Sequence, residues 1–186
     1  EGKIERFLEK PTTSEVFSDT INTGIYILEP EVLKYLPPNQ ETDFSKDLFP
    51  LLLKNKDPMY GYVAEGYWCD VGNLETYRMA NYDVINNNVK VKIPYEQRHP
   101  GIWTGDSVVI EPSATLEPPI VIGNNCYIGK NAILSSNTII GDNVIVSEEA
   151  ILKRPVLWNG VYIDKKASLS GCIVGKNTTV KLETQI

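Results

Sequence analysis

From Ile110 to Leu152 an aliphatic residue fills every sixth position: Ile110, Leu116, Ile122, Ile128, Leu134, Ile140, Val146 and Leu152. Four residues after most of these stands a small, β-branched or otherwise apolar residue: Ala114, Ile120, Cys126, Ala132, Thr138, Val144, Ala150, Val156. An α-helix repeats near 3.6 residues and a strand near 2, so this period fits neither alone. It fits a coil with three flat faces, each taking six residues and turning its aliphatic side chain inward. Ile122, Ile128, Leu134 and Ile140 are then expected to be nearly fully buried. Gly123-Asn124-Asn125, Gly129-Lys130-Asn131 and Gly141-Asp142-Asn143 supply the corners, where sharp turns or positive φ favour such residues. The period slips by one residue twice, and the pattern places the slips at Trp158-Asn159-Gly160 and Ser170-Gly171-Cys172. From residue 99 onward it predicts roughly four to five coils.

Before Val91 the pattern changes to strands alternating with helices, an α/β layer. Lys3–Leu8, Thr23–Leu28 and Met59–Ala64 read as strands. Pro30 opens a short helix that Pro37 and Pro38 end. Lys46–Asn55 reads as a second helix, with Pro50 tolerated near its start. Leu74–Ile85 reads as a third, with Asn73 as N-cap and Glu75 in its first turn. The pattern thus divides the chain into 1–98 and 99–186.

Charge narrows the function classes. The formal net charge is -6, with 11 basic and 16 acidic residues before His99 and 7 and 8 from there on. Neither part is basic, so the electrostatic footprint of a nucleic-acid binder is missing. No apolar run reaches membrane-spanning length, and the N-terminal residues do not read as a signal peptide. Cys69, Cys126 and Cys172 are far apart and form no CxxC pair, so neither a disulfide framework nor a zinc site is suggested. The expected setting is a reducing cytoplasm.

Four short motifs come in a fixed order ahead of the repeat: Phe7-Leu8-Glu9-Lys10-Pro11, Asn22-Thr23-Gly24-Ile25-Tyr26, Tyr67-Trp68-Cys69-Asp70-Val71-Gly72 and Leu74-Glu75-Thr76-Tyr77. In that order they resemble the C-terminal half of the sugar-1-phosphate nucleotidylyltransferases. The flanking residues look most like the mannose-1-phosphate guanylyltransferase branch, and the repeat resembles the hexapeptide coils of left-handed parallel β-helices. The resemblance implies an α/β portion, part of a Rossmann-like nucleotidyltransferase domain, followed by an all-β left-handed parallel β-helix.

It also implies a chemistry in which a sugar-1-phosphate and a nucleoside triphosphate are partners and pyrophosphate is released. First choice is mannose-1-phosphate with GTP. Lys10 would pair with the sugar phosphate as a point charge. Glu9 would accept from sugar hydroxyls, and Asn22 suits a hydroxyl pair. Gly24 would let backbone approach the sugar, and Asp70 would be one of two carboxylates on a catalytic Mg2+. Taken singly, these residues also have plain structural readings: a surface turn at Glu9-Lys10-Pro11, strand-edge features at Asn22 and Gly24, and a helix cap at Asp70. Tyr67 and Trp68 read as packing residues, Cys69 as a buried small hydrophobe, and Tyr62, Tyr77 and Tyr82 as core or rim.

The glycine-rich triphosphate loop and the second metal carboxylate of that family have no counterpart in this sequence. The chain is therefore expected to be a segment of a longer protein, lacking the N-terminal half of the catalytic domain and inactive alone. The coils are an expected surface for homo-oligomerisation. Three alternatives stay open: a glucose-1-phosphate uridylyl-, thymidylyl- or adenylyltransferase; a non-catalytic oligomerisation or regulatory module; and a hexapeptide acyltransferase, for which the lone histidine, His99, is the candidate base.

Overall fold

The computed structural model describes residues 2–7, 13–15 and 18–186. By compactness the chain forms two units, Glu1–Gly66 and Tyr67–Ile186, each with a hydrophobic core of its own.

The core of the first unit is small and aromatic. Leu48, Phe49 and Leu52 are buried, and Phe7, Val32, Tyr35, Leu36, Phe44 and Met59 pack against them. The Phe49 ring meets Tyr26 edge-on at 4.9 Å and Phe7 at 5.1 Å between centroids. Pro30 opens a 3-10 segment, Pro30–Tyr35, which Leu36 ends ahead of Pro37, since a residue before proline avoids helical ψ. The expected helix Lys46–Asn55 begins earlier and is divided. Phe44–Leu48 winds as a wide π turn, with Asp43 Oδ1 accepting from the Ser45 and Lys46 N–H groups. Helix α1, Phe49–Asn55, follows. Pro50 has no N–H to return to the preceding turn, so a regular helix starts only where that N–H is not needed.

The three strands expected in this unit do not form ladders among the described residues. A single antiparallel bridge joins Lys3 to Tyr60, with Ile4 N donating to Met59 O at 2.8 Å and Gly61 N to Gly2 O at 2.7 Å. Thr23–Leu28 has no strand beside it among the described residues, and Ile25 and Ile27 are exposed. Apolar alternation marks a segment that fits a sheet, but a strand exists only where a neighbour takes its N–H and C=O groups.

The second unit is a left-handed parallel β-helix with one α-helix laid against it. Its first face stacks Ile102–Thr104, Ile120–Ile122, Thr138–Ile140, Val156–Leu157 and Ile173–Val174. The second stacks Val109–Ile110, Tyr127–Ile128, Ile145–Val146, Tyr162–Ile163 and Thr179–Val180. The third stacks Thr115–Leu116, Ile133–Leu134, Ile151–Lys153 and Ser168–Ser170, extended by a Ser168–Gln185 bridge. Both periodic columns point inward: Ile122, Ile128, Leu134, Ile140, Val146 and Leu152, with Ile120, Cys126, Ala132, Val144 and Ala150, are all at most 2% exposed. Thr138 tolerates the same position because its hydroxyl donates to Ser135 O at 2.7 Å. At the first end the stack opens, and Ile110 is 37% exposed. Glu96–His99 adds an antiparallel strand to the first face there, with His99 at its end.

Coil length changes partway. Ile120 pairs with Thr138, 18 residues on, whereas Ile139 pairs with Val156 and Val156 with Ile173, each 17 on. The first slip therefore lies at Lys153-Arg154-Pro155, not at Trp158-Asn159-Gly160; the second is at Gly171-Cys172 as expected. Leu157 is the inward residue, and Trp158 turns outward. Both shortenings fall at the same corner, between the third face and the first. Its left-handed residues form a column: Asn137, Arg154 and Gly171, with φ of 62°, 56° and 58°.

Helix α2, Leu74–Ile85, follows that column. Asn86, just past its end, donates from Nδ2 to Asn137 Oδ1 at 2.7 Å. The Tyr82 hydroxyl donates to Arg154 O, and the Arg78 guanidinium lies over Gly171. These side chains are four residues apart, about 6 Å along a helix, against corners stacked about 4.8 Å apart. Tyr82 and Ile85 are buried, as are the outward-facing Val121 and Val156 of the first face. Helix α2 and the coils of the second unit thus pack together at this face.

The corner between the first and second faces is held by side chains. Asn124 Oδ1 accepts from Asp106 N at 2.8 Å, Asp142 Oδ1 from Asn124 N at 2.7 Å, and Asn159 Oδ1 from Asp142 N at 3.1 Å. A Cβ on Gly141 would fall 2.3 Å from Asn159 Oδ1, so this ladder requires glycine there.

Candidate functional site

Asp70 lies in the run that leads into α2. Its carboxylate is exposed and makes no hydrogen bond or ion pair among the described residues. The helix does not use it as a cap. Asn73 Oδ1 accepts from Thr76 N at 2.9 Å, and Thr76 Oγ1 accepts from Asn73 N at 3.2 Å, a reciprocal capping box. The capping account of Asp70 is thereby removed, and both carboxylate oxygens are left available.

Three residues before Asp70, Tyr67 does not pack as expected. The residue is 45% exposed, and its hydroxyl donates to Asp83 Oδ2, on α2, at 2.8 Å. Asp83 Oδ1 accepts from Asn88 Nδ2 at 3.0 Å. The bonds from Asn88 and then Tyr67 hold the Asp83 carboxyl below its ordinary range. The Asp83 bond, aided by desolvation and the Cys69 thiol, pushes the Tyr67 phenol upward. The sequence reading missed this pair, because a tyrosine and an aspartate 16 residues apart carry no local signal. Trp68 is 46% exposed and Tyr62 91% exposed, so neither is a core residue. Cys69 is half-buried rather than buried.

Asn22 and Gly24 lie in the first unit. Asn22 Oδ1 accepts from Gly24 N at 3.0 Å, and its Nδ2 donates to the Tyr26 hydroxyl at 2.8 Å. Gly24 has φ of +75°, and nothing lies within 4 Å of where its Cβ would be. The Asn22 side chain thus bends the chain into a turn that only glycine enters without strain, and it leaves bare backbone facing open space. Glu9 and Lys10 lie outside the described residues.

Among the described residues no three His, Cys, Asp or Glu side chains gather into a group able to hold a metal ion. Magnesium usually keeps several waters and takes one or two carboxylates beside substrate phosphates. A single unpaired, exposed carboxylate such as Asp70 fits one place in that arrangement. No helix of the described residues is long and apolar enough to cross a membrane. The second unit also has an open cleft of about 310 Å3 between α2 and the first face, lined by Tyr77, Asn81, Tyr95, Val121, Trp158 and Lys176 among others.

Residues 1–87 match the family model described as nucleotidyl transferase, and residues 116–186 match the one described as GMPPB C-terminal domain. Over these residues the chain is thus similar first to nucleotidyl transferases and then to the GMPPB C-terminal domain, an order that fits sugar-1-phosphate nucleotidyltransferases. Individual relatives divide by substrate. A UTP–glucose-1-phosphate uridylyltransferase from Synechocystis sp. is 44% identical over 108 residues, 58% of this chain and 28% of that protein. A mannose-1-phosphate guanyltransferase from Eremothecium gossypii is 36% identical over 113 residues, 61% of this chain and 30% of that protein. A glucose-1-phosphate adenylyltransferase from Desulfitobacterium hafniense is 39% identical over 90 residues, 45% of this chain and 22% of that protein. The chain thus spans less than a third of the length of these curated relatives.

Proposed function

We propose that this chain serves nucleotidyl transfer from GTP to mannose-1-phosphate, giving GDP-mannose and pyrophosphate. The observation that carries the reading is the succession of the two matches in one chain: a nucleotidyl transferase region over 1–87, then coils matching the GMPPB C-terminal domain. The guanyltransferases of Eremothecium gossypii and Schizosaccharomyces pombe, 36% and 37% identical, support the same choice.

A phosphate oxygen of the sugar-1-phosphate attacks the α-phosphorus of the triphosphate. The bond from that phosphorus to the bridging oxygen breaks, and pyrophosphate leaves with it. Two anions must meet, so the work is charge neutralisation and alignment. In this reading Lys10 neutralises the sugar phosphate, Glu9 and Asn22 hold sugar hydroxyls, and Gly24 allows close backbone approach. Asp70 holds Mg2+, which when bound offsets charge on the phosphates. The 186 residues alone are inactive in this reading, because their sequence holds no glycine-rich triphosphate loop.

The 44% identity to a uridylyltransferase favours a second reading, UTP with glucose-1-phosphate. The test is pyrophosphate release by the intact protein across GTP, UTP, ATP and dTTP, each with mannose- and glucose-1-phosphate. Highest kcat/KM for GTP with mannose-1-phosphate supports the first reading. A UTP and glucose-1-phosphate optimum replaces it with the second, and no release with any pair refutes both.

A further inference from the structure

We propose that Tyr67 and Asp83 are positioning residues that hold the Asp70 carboxylate in place for its metal. This rests on the reading of Asp70 given above. The run from Tyr67 to Asn73 is pinned at both ends, with Asp70 three residues from each pin. At one end the Tyr67 hydroxyl donates to Asp83 Oδ2 at 2.8 Å; at the other, Asn73 and Thr76 close the capping box. Both pins seat on α2, and α2 is fixed to the coils through Asn86, Tyr82 and Arg78. The Trp158 indole N–H adds a bond to the Tyr77 hydroxyl at 3.2 Å.

A carboxylate that is to meet a metal and phosphates gains from having no protein partner of its own, because any such bond would have to break first. Asp70 has none among the described residues, so its place has to be set through its backbone. Tyr67 is too exposed for its bond to serve a core. The Tyr67–Asp83 bond is charge-assisted, and Asn88 holds the acceptor still from its other side. This arrangement directs the pair toward orientation of the intervening loop.

The test uses the intact protein. Tyr67→Phe removes one oxygen and leaves the ring. It should raise the Mg2+ concentration for half-maximal rate about tenfold, the lower end of what groups orienting metal ligands contribute. Mn2+ affinity in the presence of nucleotide sugar, read from the free-ion EPR signal, should weaken in parallel while Tm holds. Asp83→Ala should reproduce both shifts. Asp83→Asn keeps an acceptor oxygen and should stay within about twofold of wild type. If Tyr67→Phe lowers Tm, the contrast between Asp83→Asn and Asp83→Ala decides instead. Unchanged Mg2+ dependence and Mn2+ affinity in Tyr67→Phe and Asp83→Ala overturn the proposal, provided Asp70→Asn alters both. If Asp70→Asn alters neither, the metal role of Asp70 falls, and the proposal falls with it.

Discussion

Leu134 offers a direct measure of the register on which the second unit is built. It is fully buried on the third face, stacked between Leu116 and Leu152 in parallel ladders. Leu134→Ala deletes three carbons, worth about 2.4 kcal/mol at about 0.8 per methylene. The backbone ladders on either side fix rung spacing, so the stack has little freedom to close over the gap, and a cavity contribution adds to the loss. The expected total is about 3–4 kcal/mol. Ile133, one residue away on the same strand, faces outward at 40% exposure. Ile133→Thr keeps the β-branch and should cost under about 1 kcal/mol. Leu134→Asp, which buries a charge with no partner, should exceed both. Urea titrations followed by far-UV circular dichroism give the comparison through midpoints and slopes. Equal losses from Leu134→Ala and Ile133→Thr, or a loss under about 1 kcal/mol from Leu134→Ala, would refute the inward assignment.

In the intact protein, Asp70→Asn should remove most turnover without changing Tm; near-normal rates at limiting Mg2+ would exclude its metal role. Lys10→Ala should raise KM for the sugar phosphate more than it lowers kcat, as steady-state kinetics would show. Burial and the bond to Asp142 push the Tyr95 phenol up to about 12, so the fold favours its neutral form. That contribution is complete below pH about 10, where the unfolded phenol also keeps its proton, and fades as pH rises toward 12. Stability curves of wild type and Tyr95→Phe should therefore converge over that window and run parallel below it. Gly160 has φ of +73°, and a Cβ there would meet Asn177 Oδ1 at 2.2 Å. Gly160→Ala should cost at least about 1–2 kcal/mol by denaturation.

The features legible in the sequence are those set by local periodicity and capping. The inward columns follow from one period, and α2 follows from Asn73 and the residues after it. The first slip was misplaced because Leu157 and Trp158 are adjacent and both apolar, so either can continue the period. The ladder decides it: Leu157 pairs with Ile140 and is buried, while the indole faces out, edge-on to the Tyr77 ring at 6.2 Å. The strands read around Thr23 and Met59 failed for a different reason, because pairing is a property of two segments and alternation describes one. Asp70, Asn22 and Gly24 stand out only through motif order. The Tyr67–Asp83 bond escaped because it depends on how the approach to α2 folds back along the helix.

Each coil turns three corners, but only the column at Asn137, Arg154 and Gly171 lies beneath α2. The column at Asn131, Glu149 and Lys166 is exposed to solvent. The two columns differ in how freely their length can change. Residues added beside Asn131 can loop outward without moving a rung, since lengthening a surface loop costs little in closure entropy. The same residues added beside Arg154 would lift Tyr82 from its acceptor and tilt the helix that carries both pins of the Asp70 loop. One edge of the prism is thus open to insertion, and the other works as a gauge whose length is tied to the loop that carries Asp70.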